Sequence, residues 1–280
     1  MNETTEILIE KFNKKDQAGF IKVLMTVRAE MELTEEEYPQ THILRFYLHF
    51  NQDTKLTLDA IKNNIEWKKE FPFDEAAKLN AFEFIEMQER LGMFFYGCDR
   101  LGRPIRFSRI TSLDPQVVMD AFTYEEFHWH NVAYIERVVN IIFPMCSDKY
   151  KHPVYQTITI LDLSEAHINK YILNKKVMDY IKKQSEPFVK NYPDISSKVF
   201  IINAGVLVKA LFSFFSYFLE KRVLDRVKVY NKGYMEELTK YVDKKDLPMC
   251  IGGENETEPK DYINFWDEQE RQSIKDKRLK

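Results

Sequence analysis

Two histidines and one aspartate are the residues whose types and positions first suggest chemistry. His128 and His130 are separated by one residue, and histidine is the commonest metal ligand in proteins. In a helix, however, residues i and i+2 point to different faces, so this spacing argues against one metal held by both. Asp162 ends an apolar run, where α/β folds often place functional groups. Neither a glycine-rich phosphate loop nor a G-x-S-x-G motif accompanies it, so we expect Asp162 to act as a cap or to make a buried hydrogen bond.

The cysteines and one charged pair are the next candidates. Cys98, Cys146 and Cys250 are far apart and show no C-x-x-C spacing, which predicts free thiols in a reducing compartment. Asp99 and Arg103 flank a tight turn, and we expect them to shape that turn. The first residues are polar and acidic, which is not typical of a signal or transit peptide. These features predict a cytoplasmic protein.

The overall composition predicts a folded globular chain. Its 280 residues include 41 lysines and arginines against 44 aspartates and glutamates, a formal net charge of -3. Nucleic-acid binding needs a large cationic excess, so the charge balance predicts no nucleic-acid partner. Hydrophobic residues make up 44% of the chain, which is enough to bury a large core, and aromatic residues reach a high 14%.

The most apolar stretch covers residues 199–219 and contains a single charged residue, Lys209. Its length would allow a membrane span. The turn residues 203–205 interrupt it, however, and Lys209 would lie near the bilayer centre, so a span is the weaker interpretation. We expect a buried strand followed by an apolar helix from Val206. That helix either packs in a core or covers a ligand or a membrane.

Hydrophobic periodicity predicts helices before residue 91 and alternating strands and helices after it. The alternation predicts a sheet with parallel crossovers, to which a hairpin is added at its start. Pro144 is expected to end one helix, and Pro187 to end or kink another. The predicted helices lie within residues 1–30, 41–73, 82–91, 124–143, 168–189, 206–219 and 234–241. The predicted strands are residues 93–96, 105–110, 157–163, 199–202 and 227–230.

Several short motifs occur in one order along the chain. They are ILRF (43–46) with EWKKEF (66–71), DRLGRPIRF (99–107), TITILDL (157–163), YPDISSKVFIINA (192–204) and DLPMCIGGE (246–254). Through these motifs the chain resembles the CRAL-TRIO lipid-binding family, in its eukaryotic phosphatidylinositol/phosphatidylcholine transfer branch. The resemblance extends from about residue 43 to residue 253 and is carried by the order and spacing of the motifs together.

The resemblance implies an α/β fold. A bowl-shaped domain with a mixed, largely parallel sheet would hold a deep apolar pocket, closed by a mobile gate helix and preceded by a small all-helical domain. We place the helical domain at residues 1–90, the lipid-binding domain at 91–255 and a charged tail at 256–280, whose residues 268–280 are expected to form a solvated face or, as the weaker alternative, a partner-binding helix. The implied activity is carriage of one lipid, with no covalent chemistry. The family implies no cofactor other than the bound phospholipid or another hydrophobic ligand.

The helix that begins at Val206 corresponds to the gate. Burying a sixteen-carbon acyl chain stabilises the complex by on the order of 12 kcal/mol at about 0.8 kcal/mol per methylene, so release needs an apolar surface outside the pocket. An apolar gate with basic flanks would supply that surface by touching the bilayer. The predicted pocket and gate residues are Phe95, Val206, Leu211, Phe212, Phe215 and Phe218, and the basic flanks are Lys209, Lys221 and Arg222.

The resemblance places the contacts of an inositol phosphate at four positions of this sequence. The acidic position falls on Asp194 and one basic position on Arg226, so both charges are kept. The second basic position falls on Phe50, and a hydroxyl position falls on Val223. Losing one charge-assisted partner weakens phosphate binding by about 1.5–3 kcal/mol.

The resemblance also implies residues for a choline head group. Two hydroxyls on a buried strand persist as Thr157 and Thr159. The family's tyrosine cage falls on Phe95, Arg106 and Ile135. A cationic Arg106 would oppose a choline cation, and isoleucine has no aromatic face for one. The ligand therefore stays open among a phospholipid, a sterol and another hydrophobic molecule.

The leading hypothesis is a monomeric, cytoplasmic protein that binds one lipid, preferably a phospholipid, and exchanges it during transient contact with membrane surfaces. An alternative is a lipid-sensing or lipid-presenting module that regulates a lipid kinase or a trafficking partner; the changed head-group positions favour it. A third hypothesis, an α/β enzyme, depends only on Asp162 and the strand order.

Overall fold

The computed structural model of the chain arranges helices around a five-stranded sheet. It describes residues 3–10, 12–73, 81–90, 92–109, 123–164, 175–206, 208, 212, 224–263 and 265–279. The strands are β1 (Met93–Cys98), β2 (Pro104–Arg109), β3 (Thr157–Asp162), β4 (Ser196–Ile202) and β5 (Val227–Val229). The helices are α1 (Glu3–Ile9), α2 (Lys14–Ala29), α3 (Gln40–His49), α4 (Thr54–Glu70), α5 (Ala81–Arg90), α6 (Tyr124–Arg137), α7 (Phe143–Tyr150), α8 (Lys175–Asn191), α9 (Tyr234–Leu238) and α10 (Glu268–Arg278).

Strands that are neighbours in the sheet are also neighbours in the sequence. The order is β1-β2-β3-β4-β5; the first pair is antiparallel and the other pairs are parallel. Parallel neighbours need a long crossover, and α8 provides it between β3 and β4. The structure therefore has the mixed, largely parallel sheet that the sequence predicted.

The alternation of side chains along each strand gives the sheet two different faces. What we call the closed face packs against Leu238 of α9 and the turns that follow it. The opposite, open face carries a row of residues in register across all the strands, which we call the central row. The closed-face residues are Ile105, Phe107, Ile158, Ile160, Phe200 and Ile202, and each is almost completely buried. The central row consists of Phe95, Arg106, Thr159, Val199 and Val227.

The helices that precede the sheet form a layer with its own core. Asp53 begins α4 by accepting a hydrogen bond from the N–H of Leu56. Asn64 of α4 donates to the side-chain oxygen of Asn191 at 3.1 Å, which ties the layer to α8. The helical character of this region is confirmed, and the boundary after residue 90 stays a prediction. The core of the layer includes Phe20, Val23, Val27, Ile43, Leu44, Phe46, Tyr47 and Ile61.

The prediction that Pro144 ends a helix is wrong. After α6 the chain forms a π-helical turn, Val138–Ile142, and continues directly into α7. Pro144 lies in the first turn of α7, where its missing N–H leaves no bond unmade. The wider π turn absorbs the break that a proline causes in an α-helix. Helix α8 likewise continues through Pro187.

Most of residues 268–279 are exposed, as predicted for a solvated face, but Ile274 within that stretch and two aromatic residues before it are buried. Phe265, Trp266 and Ile274 are 8%, 6% and 0% exposed and belong to the core under α6 and α7. The guanidinium of Arg137 lies 3.7 Å from the ring centroid of Trp266 and pairs with Glu270 at 2.9 Å. One buried isoleucine in α10 and the two buried aromatic residues that precede it are therefore sufficient to dock this helix.

Candidate functional site

Asp99 organises the turn of the β1–β2 hairpin. Its nearly buried carboxylate accepts hydrogen bonds from the N–H groups of Leu101 at 3.0 Å and Arg103 at 2.8 Å. Arg103 donates from Nε to the same carboxylate at 2.7 Å and from a terminal nitrogen to Ser197 Oγ at 2.9 Å. The turn is thus fastened to β4, which confirms the turn-shaping role predicted for Asp99 and Arg103.

Asp162 joins the ends of three strands. The fully buried carboxylate accepts from the N–H of Ser164 at 3.0 Å and from Asn203 Nδ2 at 2.7 Å. The Nε of Arg109, at the end of β2, pairs with its second oxygen at 3.2 Å. The predicted buried hydrogen bond of Asp162 is thus present, and its bonds stabilise the sheet edge.

His128 and His130 lie in different surroundings. The ring of His128 stacks on Tyr124, with centroids 5.9 Å apart. His130 is fully buried beside Phe84, and burial lowers the pKa of its imidazole to about 4, so it stays neutral at ordinary pH. Within the described ranges, no three histidine, cysteine, aspartate or glutamate side chains form a group that could hold a metal ion.

Asp194 and Arg226, predicted to contact a head group, form an ion pair. The Arg226 guanidinium donates to Asp194 Oδ2 at 2.8 Å, and the pair lies between the start of β4 and the start of β5. His49 Nδ1 lies 3.3 Å from the other carboxylate oxygen. The Asp194 side chain is 5% exposed and that of Arg226 is 24% exposed, so the pair is only partly open to solvent. We call these three residues the charged end of the sheet.

His49 was missed by reasoning from the sequence. Counting along the motif placed the lost basic group on Phe50, whose ring lies 4.9 Å from the ring of His49 in an edge-on contact. The residue before Phe50 therefore brings a titratable nitrogen to Asp194. The available signal was that a histidine, which can carry a positive charge, stands next to the expected position. Val223, the other changed position, lies outside the described residues.

Thr157 and Thr159 are held by a serine that the sequence analysis did not identify. The Oγ of Ser196 lies 3.1 Å from Thr157 Oγ1 and 2.9 Å from Thr159 Oγ1. Both threonines are buried on the open face, near the charged end of the sheet. The three hydroxyls thus form one hydrogen-bonded group across β3 and β4.

The burial of the open face decreases from β1 towards β5. Phe95 is 9% exposed, and its ring stacks on Tyr134 of α6 with centroids 5.0 Å apart. Towards β5 the apolar side chains are only half-buried. These half-buried residues are Leu161, Val199, Ile201, Val227 and Val229.

The predicted gate is described at only a few positions. Val206 is 80% exposed, whereas Val208 and Phe212 are helical and half-buried. Leu211, Phe215 and Phe218, and the basic residues Lys209, Lys221 and Arg222, lie outside the described residues. In the part of the chain that the structure describes, no helix combines the length and apolarity needed to cross a bilayer.

The ion pair at the charged end predicts a coupled effect on stability. We expect Asp194→Asn to lower the free energy of unfolding by about 1.5–3 kcal/mol, because bonds to a nearly buried carboxylate are lost. Asparagine tolerates the left-handed backbone at this position, where φ is 55°, so the change tests the charge. In urea denaturation, Arg226→Gln should cost clearly less in the Asp194→Asn background than in the wild type.

Arg271→Gln provides a matched control, because Arg271 belongs to a helix-surface pair with Glu268 at 3.7 Å. This control should show no coupling to Asp194→Asn. If the free-energy costs of Asp194→Asn and Arg226→Gln simply add in the double variant, the pairing is contradicted.

Comparison with known proteins places the chain in a family. Residues 88–253 match the family described as the CRAL/TRIO domain. The chain is 29% identical over 226 residues to the phosphatidylinositol/phosphatidylcholine transfer protein SFH12 of Arabidopsis thaliana, covering 79% of this chain and 41% of that protein. It is 25% identical over 248 residues to the SEC14 cytosolic factor of Candida glabrata, covering 86% and 79%.

The chain therefore spans less than half the length of SFH12. Among solved structures, the crystal structure of Sfh5 is similar with a TM-score of 0.64 at 11% sequence identity, covering 96% of this chain and 98% of that one. This likeness concerns the fold alone. The motif order, the sheet and the match over residues 88–253 agree, and the chain belongs to the CRAL/TRIO domain family.

Proposed function

We propose that this chain binds one lipid molecule against the open face of its sheet and exchanges it at membrane surfaces. The observation that carries the proposal is the contrast between the two faces. Closed-face residues such as Ile160 and Phe200 are fully buried, whereas Val199 and Ile201 of the open face remain half-buried. An apolar sheet face left partly accessible is suited to an acyl chain, which gains about 0.8 kcal/mol per methylene removed from water.

The relatives support the same proposal. SFH12 is named as a phosphatidylinositol/phosphatidylcholine transfer protein, and other Arabidopsis relatives carry the same description. Lipid carriage needs no covalent step. The buried aspartates Asp99 and Asp162 are both engaged in holding turns and strand ends, which supports a binding protein over an enzyme.

The charged end of the sheet is the proposed position of a phospholipid head group. Arg226 keeps a partly exposed guanidinium, so a phosphate can approach it while Asp194 fixes its orientation. Thr157 and Thr159 extend the polar region along β3. The acyl chains would then run along the open face towards the other ends of β4 and β5, past Ile201 and Val229.

Exchange requires an apolar surface that meets the bilayer. Val206, 80% exposed, begins the apolar stretch that the sequence identifies as the gate. We propose that this stretch contacts membranes transiently and that the chain works as a peripheral, cytoplasmic monomer. The bound lipid is the proposed ligand, and membrane phospholipids are the proposed partners.

Lipid presentation is the second candidate function. Phe50 stands where the family resemblance expects a basic residue, and its ring packs on His49 instead. A head group bound less tightly there would remain accessible to a lipid kinase or a trafficking protein. In this case the lipid would be displayed by the chain and not delivered by it.

A vesicle assay tests the transfer proposal. The protein should move fluorescent phospholipid from donor to acceptor vesicles, and Val206→Asp or Phe212→Asp should slow this roughly tenfold. Burying one such side chain is worth about 1.5–3 kcal/mol, and 1.4 kcal/mol corresponds to a factor of ten. Thermal unfolding should change little for Val206→Asp, because Val206 is already exposed.

Met25→Asp is a matched control, since Met25 is 64% exposed on the remote helix α2. It should leave the transfer rate unchanged. Absence of transfer by the wild type would contradict the proposal. Transfer by the wild type that is insensitive to Val206→Asp and Phe212→Asp would contradict the gate assignment.

A further inference from the structure

A cationic side chain lies in the middle of the open face. Arg106 is in register with Phe95 on one side and Thr159 on the other. Strand alternation directs residues in one such row to the same face of the sheet. A half-buried guanidinium is therefore built into the surface against which we propose that the lipid lies.

The guanidinium of Arg106 lacks an acidic partner among the described residues. One of its terminal nitrogens lies 3.4 Å from Met93 Sδ, which is a weak acceptor. Its Nε is buried and makes no hydrogen bond. Several other arginines among the described residues form ion pairs with carboxylates. Such pairs include Arg103–Asp99, Arg109–Asp162, Arg137–Glu270 and Arg226–Asp194.

A second unsatisfied donor adjoins the first. Arg106 lies over the ring of Tyr134, with its Cζ 5.2 Å from the centroid. Tyr134 is 1% exposed, and its hydroxyl lies beside the Arg106 guanidinium but has no acceptor for its proton among the described residues. Burial raises the pKa of this hydroxyl to about 12, so it remains protonated and able to donate.

We propose that Arg106 and Tyr134 bind the oxyanion of an acyl-chain amphiphile, a carboxylate or phosphate that carries no covering cation, and that the head group of such a ligand lies here and not at the charged end of the sheet. This inference rests on the proposed lipid-binding function and names its ligand class. A lipid covering the open face would exclude water, and an unpaired buried cation would then be costly. Two donors of a guanidinium match two oxygens of such an anion, whereas a quaternary ammonium would be repelled.

Competition between lipids tests this ligand class. Protein stripped of lipid is incubated with oleate, phosphatidic acid or phosphatidylcholine, and bound lipid is counted by native mass spectrometry. The wild type should prefer oleate or phosphatidic acid over phosphatidylcholine by roughly tenfold, the scale of one charge-assisted hydrogen bond. The oleate and phosphatidic acid arms distinguish a carboxylate from a phosphate.

Two variants make the test specific to the guanidinium. Arg106→Gln should remove the preference for the anionic lipids, and Arg106→Lys should retain part of it because the charge remains. Equal binding of all three lipids by the wild type, or an unchanged preference in Arg106→Gln, would overturn the inference while leaving lipid binding intact. Failure of the wild type to bind any of the three would instead contradict the proposed function.

A separate observation concerns two cysteines at the far side of β1. Cys98, at the end of β1, and Cys146, in α7, have sulfur atoms 3.6 Å apart. A disulfide has a sulfur–sulfur distance of about 2.05 Å, so a small approach would join them. Both line a surface cavity of about 200 Å³ together with Lys149 and Tyr150. A small oxidant can therefore reach the half-buried Cys98, while Cys146 is buried behind it.

We infer that Cys98 and Cys146 are an oxidisable thiol pair. The thiol of Cys146 donates to Cys98, and with nearby Lys149 it holds the pKa of Cys98 below its usual value. Hydrogen peroxide is the oxidant. The Cys98 thiolate attacks one peroxide oxygen and breaks the O–O bond, which forms a sulfenic acid and releases hydroxide, or water once protonated. The Cys146 sulfur then attacks the sulfenic sulfur, and the hydroxyl leaves as a second water with the Cys146 thiol proton, so that two thiols are oxidised to a disulfide and one hydrogen peroxide is reduced to two waters.

Peroxide treatment followed by non-reducing peptide mapping tests the pair. The wild type should give a crosslink between Cys98 and Cys146 that dithiothreitol reverses. Cys250→Ser should still give it, since Cys250 is an exposed cysteine outside the pair, whereas Cys98→Ser and Cys146→Ser should not. Oxidation of Cys98 to sulfinic acid without the crosslink, or persistence of both thiols, would overturn the inference.

Discussion

The in-register alternation of side chains across five strands is the constraint on which the rest of the structure depends. The closed face is filled with aliphatic and aromatic residues such as Ile160 and Phe200, and their burial fixes the register. A slip of one residue would exchange the two faces and expose these side chains to water. The free energy that their burial contributes therefore holds the strands in register. The open face is thereby held in place although its own apolar residues are only half-buried.

Carboxylates at the strand ends complete this arrangement. Asp99 holds the hairpin turn, Asp162 joins the ends of β2, β3 and β4, and Asp194 pairs with Arg226 where β4 and β5 begin. Each carboxylate is nearly buried and accepts bonds from backbone or cations, as buried charges require. Arg106 differs from the arginines in these pairs, because its charge on the open face is not compensated by an acid among the described residues. The structural carboxylates thus lie at the strand ends, whereas the cation proposed to face the ligand lies in the middle of the open face.

Much of the fold could be predicted from the sequence, because strands and amphipathic helices have periodic patterns that do not depend on distant residues. The hairpin, the parallel strands and the role of Asp162 belong to this class. The continuation of the helical segment through Pro144 could not be predicted, since a π turn leaves no periodic signal in the sequence. The docking of Trp266 depends on a pocket made by α5 and α6, distant segments of the chain.

The candidate site was predicted only in part for the same reason. Asp194 and Arg226 could be placed by motif counting, and they do meet. His49 reaches Asp194 from an adjacent helix, and the isolation of Arg106 depends on which side chains surround it in three dimensions. Neither relation is local in the sequence.

Native mass spectrometry of the protein, purified without detergent, shows whether the open face holds a lipid. We expect one acyl-chain lipid bound per chain, lost when the chain is unfolded and regained on incubation with vesicles. A measured mass equal to that of the polypeptide alone, both before and after exposure to vesicles, would contradict the claim that the open face holds a lipid.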